Sequence, residues 1–211
     1  MYKTYIFDLD GTLLDTLSDL AAAVNYALRT HGMPEHSIDD VRRFVGNGVR
    51  KLMERAIPDG AANPQFDETF ATFRQYYMAH SLDTTRPYEG IPEALAALKA
   101  RGCRLAVVSN KMMAATQELC QHFFPDTIEV AIGENEAEGI RKKPAPDTVF
   151  AALKALGVGK EGAVYVGDSD VDIETARNSG LPCISVLWGF RDRDFLVAHG
   201  ATTFAEHPWD I

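Results

Sequence analysis

Short, wholly apolar runs alternate along this chain with segments whose apolar positions recur every three or four residues. Tyr5 to Phe7 is a short apolar strand, and residues 16–31 carry Leu17, Leu20, Ala21, Val24, Ala27 and Leu28 at helical spacing. Gly32 and Pro34 stop that helix. Further helical patterns run from about 39 to 45, 48 to 57 and 66 to 81, punctuated by Gly, Asn and Pro, with no strand pattern between roughly 16 and 85. Then the alternation returns. Ile91 to Lys99 predicts a helix, Arg104 to Val108 a buried strand, 112–123 a helix, and Ile128 to Ile132 a short strand. A helix over 146–156, the strand Ala163 to Val166, a helix over 171–178 and the strand Cys183 to Leu187 follow, with Ala201 to Phe204 as a last edge strand. Short apolar strands joined by helices imply an α/β fold, its parallel sheet covered on both faces. The reading is therefore an α/β core over 1–15 and 82–211, with an all-helical insertion over 16–81.

Bulk properties narrow the picture. At 211 residues the chain can bury one good core and a small second domain. Its net charge of −9 gives no basic face for nucleic acid or an anionic membrane, though a metal and a few placed cations can still receive an anionic substrate. Cys103, Cys120 and Cys183 are far apart and lack C-x-x-C spacing, which suits reduced residues of a cytoplasmic protein. The first apolar run is broken by Asp8 and Asp10 and resembles no signal peptide, and no stretch is long enough to span a bilayer. The six histidines show no ligand spacing, and Trp188 reads as packing.

The chemistry begins where the first strand ends. Asp8 and Asp10 stand two residues apart ahead of a Gly11-Thr12 turn. Burying unpaired charge is costly, so such carboxylates belong at a strand's carboxyl end, facing a site. There Asp8 can attack a phosphorus and carry the phosphoryl group, while Asp10 exchanges protons with the leaving and entering oxygens. Three more segments lie where ligands bind in parallel sheets. In Val107-Val108-Ser109-Asn110-Lys111 a hydroxyl and a neighbouring N–H can hold a phosphoryl oxygen, although the same residues also suit a strand end and a helix cap. In Arg141-Lys142-Lys143-Pro144-Ala145-Pro146-Asp147, Pro144 pushes Lys143 towards extended backbone and Pro146 suits a helix start. The Lys143 ammonium can neutralise both nucleophile and phosphate, whereas Arg141 and Lys142 read as solvated. In Val166-Gly167-Asp168-Ser169-Asp170-Val171-Asp172, a helix start accounts for Asp170 but not for Asp168, which follows a hydrophobic strand and a glycine. About four carboxylates around one site raise each other's pKa unless a cation sits among them, and Mg²⁺ is the natural choice.

Asp8-Leu9-Asp10-Gly11-Thr12-Leu13-Leu14-Asp15-Thr16 resembles motif I of the haloacid dehalogenase superfamily in its phosphatase form. The resemblance implies a Rossmann-like core, Asp8 as nucleophile and Asp10 as general acid/base. The presence of Asp10 argues against the dehalogenase and phosphonatase branches. The other three segments are similar to motifs II, III and IV. They imply Ser109 and Asn110 as phosphate-binding residues, Lys143 as the motif lysine, and Asp168 as a metal ligand supported by Asp172 through water or hydrogen bonds. The implied Mg²⁺ set is the side chains of Asp8 and Asp168 with the backbone carbonyl of Asp10, and the helical insertion is of the kind called a C1 cap.

Within that insertion Arg42, Arg43, Arg50 and Lys51 make the region around Gly46-Asn47-Gly48 locally basic. The N–H groups of that turn can hold a substrate carboxylate, and the same pattern also suits a helix–helix turn with solvated charges. The stretch Val45-Gly46-Asn47-Gly48 to Glu54-Arg55-Ala56, with Phe73-Arg74-Gln75-Tyr76-Tyr77 and Pro87-Tyr88-Glu89-Gly90, looks like bacterial phosphoglycolate phosphatases. That implies cap contacts from Gly46, Asn47 and Arg50. The function expected is a Mg²⁺-dependent phosphomonoesterase acting through an aspartyl-phosphate, on 2-phosphoglycolate, as a monomer or homodimer. The alternatives are a phosphosugar mutase similar to β-phosphoglucomutase, or a phosphatase for pyrophosphate, nucleotides or sugar phosphates. A non-catalytic binding protein on this fold would lose Asp8, Asp10, Lys143 or Asp168, and all four are present.

Overall fold

The computed structural model describes residues 2–211. In chain order its strands and helices are β1 (Thr4–Phe7), β2 (Leu14–Asp15), α1 (Leu17–Thr30), α2 (Ile38–Phe44), α3 (Val49–Ala56), α4 (Phe66–His80) and β3 (Arg86–Pro87). There follow α5 (Ile91–Ala100), β4 (Arg104–Met112), α6 (Met113–Phe123), β5 (Val130–Glu134), α7 (Asp147–Leu156), β6 (Ala163–Gly167), α8 (Asp170–Ser179), β7 (Cys183–Val186), α9 (Arg193–Ala198) and β8 (Phe204–Ala205). The chain divides into two compact units, Met1–Leu14 with Pro87–Ile211, and Asp15–Arg86.

The first unit is built on a six-stranded sheet in the order β5-β4-β1-β6-β7-β8. Its ladders are parallel. Strand side chains alternate between faces, so both faces of a covered sheet must be apolar. Tyr5 and Phe7 join Leu105, Val107, Val164 and Val166 in one core cluster, to which Ile91, Leu95 and Leu119 of α5 and α6 contribute. Ile6 joins Ala106, Val108 and Tyr165 in a second, with Val149, Leu153 and Ala176 of α7 and α8. Each fully buried Ile, Val or Phe contributes about 1.5–3 kcal/mol, which is what holds the sheet to its helices.

The strand order places β1 between β4 and β6. The chain builds outward to β5 on one side and then crosses back to β6 on the other. The carboxyl end of β1 is thus a topological switch point, where open parallel sheets form their ligand crevice.

Several elements depart from the sequence pattern. Strand β5 runs Val130–Glu134 rather than from Ile128 to Ile132, and β8 is Phe204–Ala205 rather than Ala201 to Phe204. The strand expected to stop at Val108 runs on through Ser109, Asn110 and Lys111 to Met112, with a register shift against β5 between Val108 and Met112. Asn110 and Lys111 stay buried because partners elsewhere in the unit meet them, and Ser109 accepts from the Lys111 N–H. Helix α6 therefore starts without a side-chain cap, and neither Ser109 nor Asn110 serves as its N-cap. Helix α9 is too short to show a hydrophobic period; its signal is local, Asp192 accepting from the Phe195 N–H at 2.8 Å.

In the second unit α1 buries Leu17, Leu20, Ala21, Val24, Ala27 and Leu28, the residues at helical spacing. Ser37 and Asp40 form a reciprocal capping box on α2. Asp19 is buried and accepts from the backbone N–H and hydroxyl of both Thr84 and Thr85 at 2.5–3.1 Å. Burial works to raise its pKa, but these donors outweigh it and hold the carboxyl below the usual aspartate range. No helix among the described residues is long and apolar enough to cross a membrane.

Candidate active site

Three strand ends supply the charged groups. Phe7 pairs with Val107 on one side and Val166 on the other, so the residues following these positions emerge together. Asp8 directly follows β1, its N–H donating to Val166 O at 2.9 Å and its Oδ1 accepting from Leu9 N at 2.7 Å. Ser109, Asn110 and Lys111 come from β4, and Asp168 follows β6.

Lys143 ties these ends together from the loop before α7. Its buried Nζ lies 2.8 Å from Asp8 Oδ1 and 2.8 Å from Asp172 Oδ1. Its backbone is clamped by Asn110, whose Oδ1 accepts from Lys143 N at 2.7 Å while its Nδ2 donates to Lys143 O at 3.0 Å. The Asn110 amide is thus committed to the lysine loop. Ser109 is buried, and its Oγ accepts from Lys111 N at 3.1 Å.

Asp172 lies beneath Lys143, with five donors on its two oxygens. Oδ1 accepts from Lys143 Nζ and from the Tyr165 hydroxyl at 2.9 Å. Oδ2 accepts from Asp168 N at 3.2 Å, Ser169 N at 3.1 Å and Ser169 Oγ at 2.6 Å. A carboxylate has about four lone-pair sites, so Asp172 has none left for a ligand. Asp168 is less occupied. Its Oδ1 accepts from Thr12 Oγ1 at 3.2 Å and its Oδ2 from Phe190 N at 2.7 Å. Two glycines make room for it. A Cβ on Gly11 (φ +85°) would lie 2.4 Å from Asp168 Oδ2, and one on Gly189 would lie 2.3 Å from Asp168 Cβ.

The cluster carries more negative charge than its ammonium can balance. Carboxylate oxygens of Asp8, Asp168 and Asp172 lie within 4.8 Å of one another. Burial, then the charge of Asp172, pushes Asp8 well above the usual aspartate range against the pull of Lys143. Burial and Asp172 likewise push Asp168 up to about 7. Burial alone would disfavour the Lys143 charge, but Asp172 and Asp8 outweigh it and hold its pKa above that of an ordinary lysine. Oxygen-only donors with an excess of buried negative charge fit a hard divalent cation such as Mg²⁺. Asp8 and Asp168 have the capacity to bind one directly; Asp172 is placed to support it.

Asp10 stands slightly apart. Its Oδ1 lies 3.2 Å from Lys111 Nζ, an ion-pair contact not aligned as a hydrogen bond, and finds no hydrogen-bond partner. Gly46, Asn47 and Arg50 belong to the helical unit. There Asn47 Oδ1 accepts from Arg55 Nη2 at 2.6 Å, while Arg50 pairs with Glu54 and Asp67 and stacks 4.8 Å over the Phe66 ring. The local basicity expected around this turn is offset. Arg42 faces Asp39, Arg43 faces Asp40 and Lys51 faces Glu54, acids that helical i,i+3 spacing brings alongside.

Sequence reasoning missed Tyr165, Thr12 and the N–H of Phe190. Tyr165 reads as one more apolar residue of a buried strand, and only a buried phenol's need for a partner marks it. Thr12 is visible as part of its motif but not as a partner of Asp168. A backbone donor such as Phe190 leaves no side-chain signal. Trp188 does pack, with its indole N–H donating to Thr12 O at 2.9 Å.

A family model described as haloacid dehalogenase-like hydrolase matches residues 5–186. The phosphoglycolate phosphatase of Aquifex aeolicus (strain VF5) is 36% identical over 190 residues, covering 89% of this chain and 86% of that protein. The N-acetylmuramic acid 6-phosphate phosphatase of Pseudomonas aeruginosa is 30% identical over 211 residues, covering 99% and 92%. A crystal structure from Lactobacillus delbrueckii subsp. bulgaricus, provisionally named a phosphoglycolate phosphatase, matches with a TM-score of 0.94 and 38% identity, covering 99% of this chain and 96% of that one. The chain belongs to the haloacid dehalogenase-like hydrolases and is a phosphatase of that family.

Proposed function

We propose that the protein is a Mg²⁺-dependent phosphomonoesterase that works through an aspartyl-phosphate on Asp8, with 2-phosphoglycolate as its substrate. The observation that carries the chemistry is Asp8 itself, a buried carboxylate at the switch point, aimed by Lys143 at 2.8 Å. An Asp8 oxygen attacks phosphorus in line as the bond to the leaving oxygen breaks, and Asp10 gives that oxygen its proton. Asp10 then takes a proton from water, whose oxygen attacks the phosphorus and releases phosphate and free Asp8. Lys143 offsets the charge of nucleophile and phosphate throughout, and the Ser109-Asn110 segment borders the equatorial oxygens. Mg²⁺, held by Asp8 and Asp168 with the Asp10 carbonyl, would offset the charge developed as the two anions meet.

The substrate assignment rests on the two relatives named phosphoglycolate phosphatase and on the helical unit, to which we give the role of cap. Gly48 (φ +85°) opens α3 with no side-chain cap, and N–H groups at a helix start suit a carboxylate. Gly46, Asn47 and Arg50 are the cap contacts we assign. The test is phosphate release from 2-phosphoglycolate, N-acetylmuramic acid 6-phosphate, pyrophosphate, β-glucose 1-phosphate, nucleotides and an aryl phosphate, with Mg²⁺ and with chelator. Asp8→Asn serves as the blank. Metal-dependent release fastest on 2-phosphoglycolate is expected. A different leading ester removes the substrate and keeps the mechanism; turnover by clean Asp8→Asn protein removes the mechanism.

A further inference from the structure

Lys111 is among the most deeply buried cations of the chain, its side chain only 3% exposed, and the chemistry described above does not use it. Burying an ammonium costs several kcal/mol unless a counter-charge meets it. Asp10 supplies a carboxylate oxygen to it at 3.2 Å. The Asp10 oxygen concerned is itself buried and has no hydrogen-bond partner among the described residues, so the ion pair is the polar contact the structure shows for it.

The backbone carrying Lys111 is held on three sides. Its N–H donates to Ser109 Oγ at 3.1 Å, and its carbonyl accepts from Thr116 Oγ1 at 3.4 Å. Gly133 packs so closely that a Cβ there would lie 2.7 Å from the same carbonyl oxygen. The register shift between Val108 and Met112 brings this segment of β4 out of regular pairing, which re-aims its side chains. The backbone of Asp10 is also fixed, by its bridge to Leu14. The side-chain torsion of Asp10 is not set by these backbone contacts, and the Lys111 ammonium is the charged group placed to bias it.

We propose that Lys111 is a positioning residue that holds the Asp10 carboxyl in the orientation for proton transfer to the leaving oxygen. This rests on the reading of Asp10 as general acid/base. A positioned general acid contributes about 10²- to 10⁴-fold, and it matters most when the leaving group is a poor one. Misplacing Asp10 therefore slows alkyl phosphates, whose alkoxide needs a proton, far more than aryl phosphates, whose phenoxide leaves unaided.

The experiment compares kcat/KM for 2-phosphoglycolate and for p-nitrophenyl phosphate in the wild type, Lys111→Met, Asp10→Asn and the double variant. kcat/KM reports formation of the aspartyl-phosphate and is blind to its later hydrolysis. Lys111→Met is expected to lower the alkyl value by roughly 10- to 100-fold and the aryl value by no more than a few-fold, and to add little in the Asp10→Asn background. Equal losses on both esters, or no loss on either, overturn the proposal. If Asp10→Asn itself shows no alkyl-selective loss, the general-acid reading falls with it; if it shows the loss and Lys111→Met does not, the positioning role alone falls. Lys111→Gln keeps most of the stem and removes the charge, and it is read by the same ratio should Lys111→Met not fold.

Discussion

Replacing Lys143 by methionine tests whether charge balance holds the site together. Methionine keeps most of the stem and deletes the ammonium, so lost packing is a minor part of the effect. The ammonium lies 2.8 Å from each of Asp8 and Asp172. Without it three mutually close carboxyls lose their shared counter-charge, and one more of them must take up a proton. At pH 7, keeping neutral an aspartate whose ordinary pKa is 3.8 costs about 4 kcal/mol. That agrees with the ~3–5 kcal/mol typical of breaking a buried pair from one side. It is a large share of the ~5–15 kcal/mol that holds a domain folded. The sign follows from proton counting. Above about pH 4 the unfolded carboxyls have released their protons, while the folded variant holds one more than the folded wild type. Its deficit therefore grows by about 1.4 kcal/mol per pH unit towards neutrality and shrinks on acidification. Urea unfolding of both proteins in chelator, from pH 4.5 to 7.5, measures it. A deficit under about 1 kcal/mol at pH 7, or one that does not shrink in acid, refutes the charge-balance reasoning.

Three further outcomes are expected. In chelator the wild type should lose stability as pH rises from about 4 towards 7, because folded Asp168, pushed up to about 7, holds a proton that the unfolded chain has released. Mg²⁺ at about a hundred times its Kd should restore about 2.7 kcal/mol at neutral pH, seen as a higher urea midpoint; Asp168→Asn should abolish the Mg²⁺ response and make the pH slope shallower, the remainder belonging to Asp8. Tyr165→Phe removes only the hydroxyl 2.9 Å from Asp172 and should cost about 1 kcal/mol, read by the same unfolding assay, with kcat lowered more than KM is changed. Gly11→Ala meets a φ of +85° and an Asp168 oxygen 2.4 Å from the new Cβ. It should cost at least ~1–2 kcal/mol for the backbone alone and weaken Mg²⁺ binding measured by titration calorimetry.

The α/β alternation was readable from the chain because buried parallel strands are wholly apolar and their covering helices keep a 3.6-residue period. The pattern failed where polar residues remain in a strand. Ser109, Asn110 and Lys111 look like the end of β4, yet they continue it, because Lys143 meets Asn110 and Asp10 meets Lys111 from segments more than thirty residues away, while Ser109 accepts from the Lys111 N–H. The acids that face Arg42, Arg43, Arg50 and Lys51 were likewise not legible from the run of basic residues. They are spaced along the helices or brought in by another one, as Asp67 is to Arg50.

What the sequence alone determined is the inventory: which residue types stand at strand ends, in what order, and on an α/β frame with a helical insertion. Local periodicity and short motifs are properties of neighbouring residues, so they survive in one dimension. Only the tertiary structure decided the division of labour among the charges. Asp172 is saturated by five donors while Asp168 is left with room. Asn110 is spent on the backbone of Lys143, Tyr165 is drawn into the network, and Lys111 is set against Asp10. A carboxylate's role depends on burial and on who donates to it, and the strand order that puts β1 between β4 and β6 fixes those partners.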